Sequence, residues 1–260
     1  MKLLFLGTGG SEVKLVPECE VTGEYRRATS MLIDENVVVD LGIQSFDFAT
    51  KLGAKTDGIT DIFLSHTHRD HYMKQALLGY LSVAKCKIDL WCPEVSAQAI
   101  AQSLSEEELE KVTVHPVKPL DRWEAGGLSI LALPANHTDP NTVHYVFEKD
   151  GKRLYYGLDG MWFAPLEWRW LFRGAPLDAA IIDATFVCEN PRRFGKLDGH
   201  NNIITLPAIR DFMRATGVAR PDTVLLASHV APQPDEAEEW FRRLEEMGYL
   251  PTYDGFVFEV

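Results

Sequence analysis

Short runs of apolar and β-branched residues recur along the whole of this chain and alternate with stretches of helical period. No other feature constrains the fold so tightly, because strands spaced in this way build sheets that helices then cover. Strands are expected at about 2–7, 29–34, 36–40, 61–65, 88–92, 112–115, 129–133, 143–149, 153–157, 178–183, 223–227 and 255–259. Asp150-Gly151, between Tyr145-Val146-Phe147 and Leu154-Tyr155-Tyr156, is a hairpin turn signal. Helices are expected at about 43–53, 70–84, 94–104, 164–173, 202–216 and 235–247. In the last, Ala237, Trp240, Phe241, Leu244 and Met247 share one face, Asp235 and Glu236 load the first turn, and Gly248 ends it. In the one before, Leu206, Ile209, Phe212 and Met213 form the apolar stripe and Gly217 closes it. No linker or low-complexity tract divides the 260 residues, so one domain over 1–260 is expected. The strand-rich first half and the helix-alternating second half suggest two sheets packed together with helices outside. Pattern alone defines the class as α/β or α+β.

The chemistry concentrates in Ser65-His66-Thr67-His68-Arg69-Asp70-His71, directly after the apolar run Ile62-Phe63-Leu64. Residues two apart at an extended strand end project to the same side, so His66 and His68 can grip one metal ion together. Asp70 and His71 follow where the chain turns into a helix and can face a second ion beside the first. Neutral imidazole and carboxylate oxygen suit zinc, and manganese or iron less exclusively. Three more ligand-type residues end apolar strands: His137 after Ser129-Ile130-Leu131-Ala132-Leu133, Asp159 after Leu154-Tyr155-Tyr156-Gly157-Leu158, and His229 after Val224-Leu225-Leu226-Ala227-Ser228. Strand ends are where a sheet-built site gathers its chemistry.

Bulk properties narrow the partners. The formal net charge of −12 argues against long nucleic acids, because the basic residues form only pairs such as Arg26-Arg27, Arg192-Arg193 and Arg242-Arg243. A small anion is compatible, since two divalent ions would put about +4 in the pocket. No apolar run approaches the roughly 20 residues that cross a bilayer, and Met1-Lys2-Leu3-Leu4-Phe5-Leu6-Gly7 reads as a first strand rather than a signal peptide. A cytoplasmic location is therefore expected, with no membrane partner. Cys19, Cys86, Cys92 and Cys188 make no Cys-x-x-Cys pair and suggest reduced thiols rather than a disulfide framework.

The run at 66–71 resembles the His-x-His-x-Asp-His signature of the metallo-β-lactamase fold superfamily. The likeness extends through Leu6-Gly7-Thr8-Gly9-Gly10, Val39-Asp40-Leu41-Gly42 and the strand ends at His137, Asp159 and His229. It implies a four-layer αββα sandwich and a dinuclear centre. It places His66, His68 and His137 on one metal, Asp70, His71 and His229 on the other, and Asp159 between them. The Gly-rich loop would let backbone approach the site, since no Lys-Ser/Thr follows it to cradle a nucleotide. Asp40 would brace the metal loop through backbone hydrogen bonds. A bridging aspartate resembles the phosphodiesterase, glyoxalase and lactonase branches rather than true β-lactamases. The family's diiron proteins carry glutamate where this chain has His68, which disfavours a redox role.

His200 lies in Asp198-Gly199-His200-Asn201-Asn202-Ile203, where a loop histidine near a helix start is the simplest reading. The stretch resembles the Gly-His-Asn of the ribonuclease Z-like branch, particularly the cyclic phosphodiesterase of bacterial phosphonate breakdown. There the matching histidine contacts phosphate and can protonate a leaving oxygen. Asp254, in Tyr253-Asp254-Gly255-Phe256, would orient a histidine behind the ligands or serve only as a turn residue. Two departures stand out. The stretch 17–27 has one cysteine, so that enzyme's structural zinc is not expected, and the gaps 137 to 159 and 159 to 200 leave little room for a tRNA-gripping arm.

The resemblance thus implies a metal-dependent hydrolase in which hydroxide shared by two ions attacks a small phosphodiester, Asp70 orienting it and His200 acting as acid. Hydrolysis of a carboxylic ester, lactone or thioester is the nearest alternative. A non-catalytic metal- or ligand-binding module is a third. His115 is expected at the surface, and His144 packed or hydrogen-bonded. The aromatic run from Trp162 to Phe172 is expected in helix packing, with a pocket wall or homodimer contact as the alternative.

Overall fold

The computed structural model describes residues 1–10, 26–187, 199–231 and 237–260. Cys19, Cys188, the pair Arg192-Arg193, Asp198, Asp235, Glu236 and most of the stretch 17–27 lie outside these. The first sheet starts with β1 (Lys2–Gly7), β2 (Ser30–Ile33), β3 (Val37–Val39), β4 (Asp61–Phe63), β5 (Ile88–Pro93) and β6 (Val112–Val117). The chain then builds the second from β7 (Arg122–Ala125), β8 (Leu128–Pro134), β9 (Val143–Lys149), β10 (Lys152–Gly157), β11 (Leu177–Asp183), β12 (Ala219–Ser228) and β13 (Leu250–Pro251). It returns in β14 (Val257–Glu259), which pairs antiparallel with β1. The orders are β14-β1-β2-β3-β4-β5-β6 and β13-β12-β11-β10-β9-β8-β7. Both sheets follow one plan: antiparallel strands lead into a parallel run, β3 to β6 in the first and β10 to β13 in the second.

Period-two patterning explains the layers. Leu3, Phe5, Met31, Ile33, Val37, Val39 and Phe63 point inward and meet Ile130, Tyr145, Phe147, Leu154 and Tyr156 of the second sheet. Their neighbours Leu32, Val38, Ile62 and Leu64 point outward, under α1 (Ser45–Lys51), α2 (Lys74–Val83) and α3 (Glu94–Ser103). On the far side Val146, Tyr155, Ala180, Ile182 and Leu225 support α5 (Pro165–Arg173), α6 (Thr205–Ala215) and α7 (Ala237–Glu246); α4 (Glu106–Lys111) is a short external turn. The result is the αββα sandwich. Among the described residues, no helix is long and apolar enough to cross a membrane.

Among the described residues, α4, β7, β13 and a single 3-10 turn at Thr56–Gly58 escaped the sequence reading. Helix α4 carries a Ser105…Glu108 capping box but buries nothing. β7 is a polar edge strand, and β13 has two residues, one of them proline. The helix expected from 70 begins at Lys74. Residues 71–73 are instead stitched to the turn after β3: Leu41 N–H donates to His71 O, and Met73 N–H to Leu41 O. Asp70 and His71 therefore sit on a tied turn ahead of the helix.

Candidate metal centre

Every candidate ligand leaves the sandwich at one edge, just past the carboxyl end of a strand, where sheets of this kind place their ligands. His66 and His68 follow β4, His137 follows β8, Asp159 follows β10, and His229 follows β12. Asp40, after β3, ties the loop down. Its Oδ1 accepts from Ser65 N–H at 2.8 Å, and its Oδ2 accepts from His71 Nδ1 at 2.7 Å and the Tyr156 hydroxyl at 2.8 Å. Asp40, Asp159 and His229 have φ of +58°, +57° and +63°. Left-handed backbone at non-glycine residues costs about 1–3 kcal/mol each and persists where surroundings over-determine it. Three of the eight such residues among the described ones thus turn into the site. Gly10 lies so close to His229 that a Cβ would sit 2.3 Å from its ring, so the Gly-rich loop does approach the site with bare backbone.

The side chains form two groups that share Asp159: His66, His68, His137 and Asp159, and Asp70, His71, His229 and Asp159. Within each, one ligand atom per residue lies within 4.8 Å of the others. Asp159 Oδ2 is 2.9 Å from His66 Nε2, 3.3 Å from His71 Nε2 and 3.4 Å from His137 Nε2, while its Oδ1 is 2.7 Å from His229 Nε2. Asp70 Oδ2 lies 3.3 Å from His229 Nε2 and 3.8 Å from His71 Nε2.

The donor chemistry fits divalent cations. His71 Nδ1 donates to Asp40 and His137 Nδ1 to the Gly199 carbonyl at 3.1 Å, so both rings aim Nε2 into the cluster, where its lone pair is available once the ring is neutral. His71 Nε2 and His229 Nε2 stand 2.9 Å apart. His66 Nε2 and Asp159 Oδ1, although close to neighbours, are buried without a well-formed hydrogen bond. The atoms converge where a shared proton or a metal ion between them satisfies their lone pairs.

Protons and metal ions compete for these positions. Burial works against a charged His71, yet Asp159, Asp40 and Asp70 hold its pKa well above the usual value. Burial likewise opposes charge on His229, and Asp159 with Asp70 raises it to about 10. Burial dominates at His137, which falls to about 4, and at His66, which is also lowered. Burial would raise Asp159, but the adjacent His229 and His71 hold it well below the carboxylate range.

His200 stands beside the ligands. Its ring stacks on His229 at 5.3 Å and meets His137 edge-on at 5.1 Å. Nδ1 lies 2.7 Å from Asp183 Oδ2 and 3.7 Å from Asp159 Oδ1. Burial opposes a charged His200, and Asp183 raises its pKa. Asp183 was not singled out from sequence, although it ends β11 as a carboxylate after an apolar strand, the same signal that marks Asp159. Thr185 joins it, 3.1 Å from His200 Nδ1 and 2.9 Å from His229 Nδ1. A third ligand grouping, Asp159, Asp183, His200 and His229, overlaps the second.

Of the two readings of Asp254, the turn residue holds and the histidine partner is corrected. Its carboxylate accepts from Thr8 N–H and Oγ1 and from Arg27 N–H, and pairs with the Arg27 guanidinium at 3.3 Å. Among the described residues no histidine is its partner, because the turn after β13 points it at the β1 loop. His115, expected at the surface, is partly buried, stacked on Trp91 at 4.1 Å and bonded to Asp89.

A two-sheet sandwich with histidine and aspartate clusters at its strand ends defines a protein of the metallo-β-lactamase fold class. Residues 35–252 match the family profile described as Beta-lactamase superfamily domain, and the chain belongs to that superfamily. A ribonuclease Z of Pyrococcus abyssi (strain GE5 / Orsay) is 27% identical over 182 residues, which is 64% of this chain and 57% of that relative. Two solved structures superpose on 100% of this chain with TM-scores of 0.75. One is the metallo-beta-lactamase fold protein YhfI of Bacillus subtilis, 15% identical and 99% covered. The other is a diphosphatase of the PhnP family, 19% identical and 96% covered. At these identities the structures establish the fold.

Proposed function

We propose that this protein hydrolyses a small phosphodiester, with a cyclic phosphate or nucleotide-like substrate as the leading class. The observation that carries the reading is the placement of His200, locked by Asp183 at 2.7 Å and stacked on one candidate ligand while belonging to neither of the first two ligand groups. His66, His68 and His137 would hold one divalent ion, Asp70, His71 and His229 a second, and Asp159 both. Zinc suits the donor set best, with manganese or iron(II) also admitted. Such a pair supplies Lewis acidity and a nucleophile near neutral pH. Asp183 fixes the His200 Nδ1 proton, which leaves Nε2 to bind a phosphoryl oxygen or give its proton to the leaving oxygen. Asp70, whose side chain is 15% exposed while its cluster partners are at most 2%, faces the open side and orients the attacking water.

A ribonuclease and a diphosphatase among the relatives support phosphoryl chemistry. The net charge of −12 favours a small substrate over long nucleic acid. Free Cys86 and Cys92 agree with a cytoplasmic setting. The test compares bis(p-nitrophenyl) phosphate with acyl-ester and lactone substrates in wild type and His200→Ala. The variant is expected to keep its metal and lose about 10²–10⁴-fold in phosphodiester turnover. Full activity in that variant, or a preference for acyl substrates, would overturn the assignment.

A further inference from the structure

A second set of ionisable side chains is sealed inside the fold, outside the ligand groups. His144 leaves β9 on its outer face and meets Tyr155 of β10 and Glu167 of α5, with exposures of 1%, 2% and 0%. Its Nδ1 lies 2.5 Å from Glu167 Oε1, and the Tyr155 hydroxyl donates to that same oxygen at 2.6 Å. Its Nε2 lies 2.9 Å from the Leu158 carbonyl oxygen. Glu167 Oε2 accepts from Ala164 N–H at 2.9 Å and so caps α5. A carboxylate and a carbonyl offer only lone pairs, so both ring nitrogens donate and the ring is an imidazolium paired with Glu167. Burial opposes that charge, and Glu167 holds it.

A charged pair this deep is expensive to bury, and an apolar pair in its place could not donate to the Leu158 carbonyl. The ring grips the chain on both sides of Asp159. It donates to the carbonyl of Leu158, and it packs against Gly160 so closely that a Cβ there would sit 2.6 Å from Cε1. Between these contacts Asp159 holds its left-handed φ of +57°. We propose that His144, Glu167 and Tyr155 form a positioning clamp that sets the Asp159 turn, so that one carboxylate reaches both ligand groups. The inference rests on the reading of Asp159 as a ligand shared by two ions.

The test uses the full chain and zinc alone, titrated against a chromophoric chelator, with cobalt(II) spectra as a second readout. Wild type is expected to take up two ions. Glu167→Gln, Tyr155→Phe and His144→Leu are expected to weaken metal binding, the first and last by about 10–100-fold. His144→Gln retains a donor toward Leu158 and should recover part of the loss. Met213→Ala, a core variant of α6, controls for stability alone and should bind as wild type. If Glu167→Gln and His144→Leu melt earlier but bind both ions with wild-type affinity and an unchanged cobalt spectrum, the set merely supports packing and the clamp is refuted. Should His144→Leu fail to fold, Glu167→Gln and Tyr155→Phe decide alone. A wild type that binds fewer than two ions would instead bring down the shared-ligand reading beneath the proposal.

Discussion

Replacing Asp40 by asparagine isolates the role of the carboxylate behind the ligands. The side chain is fully buried and the substitution keeps its shape. Oδ2 receives the His71 Nδ1 proton at 2.7 Å and the Tyr156 hydroxyl at 2.8 Å, while Oδ1 receives Ser65 N–H at 2.8 Å. An amide cannot serve both sides. With its oxygen toward Ser65, its NH2 confronts the His71 and Tyr156 donors. Tyr156 can rotate its hydroxyl. His71 then either turns its Nδ1 proton to Ser65 Oγ, 3.2 Å away, or gives that proton up and keeps one on Nε2, the atom 2.9 Å from His229 Nε2 and directed into the cluster. One bond to a charged acceptor is then lost outright, about 1.5–3 kcal/mol of stability. The wrong tautomer weakens metal binding about 10–100-fold, as other changes behind metal ligands do. That factor corresponds to roughly 1.4–2.8 kcal/mol. Urea unfolding of the chelator-treated protein measures the first number, and competition with a chromophoric chelator the second. Lost stability with unchanged metal affinity would refute the tautomer argument. No change in either would refute the whole assignment of Asp40.

Two further outcomes follow from the same geometry. Asp183→Asn removes the charge that holds the His200 Nδ1 proton at 2.7 Å, so turnover should fall about 10²-fold or more while both ions remain bound; loss of metal instead would make Asp183 a ligand, in line with the third grouping. In metal-free protein, the raised pKa of His229 contributes stability that is fully present below the unfolded value of 6.5 and is lost as pH rises through about 10. His71 is raised in the same direction. Loading with zinc at pH 8 should therefore release about two protons per chain, read by calorimetry in buffers of different ionisation enthalpy; no release would contradict the cationic histidines.

The candidate ligand residues were legible because ligand chemistry at a strand end leaves two marks at once, an apolar run and a histidine or aspartate at or just past its end. His137, Asp159 and His229 each carry both. Asp183 carries them too, yet it is the last residue of the strand itself and was passed over as part of it; only the fold brings His200 against it. Asp254 shows the reverse error: the resemblance of Tyr253-Asp254-Gly255-Phe256 suggested a partner for a histidine, whereas its Asp-Gly pair marked a turn, and tertiary contacts gave the turn residue Thr8 and Arg27. The start of α2 was misplaced because local periodicity contains no trace of the Leu41 hydrogen bonds that hold residues 71–73. α4 left a capping signal without a buried face, and β7 left neither.

Anomalous scattering from zinc-loaded crystals addresses the shared cage most directly. Two peaks are predicted, one contacted by His66, His68 and His137 and the other by Asp70, His71 and His229, with a carboxylate oxygen of Asp159 in contact with each. A lone peak, or a pair that leaves Asp159 unligated, would contradict the account.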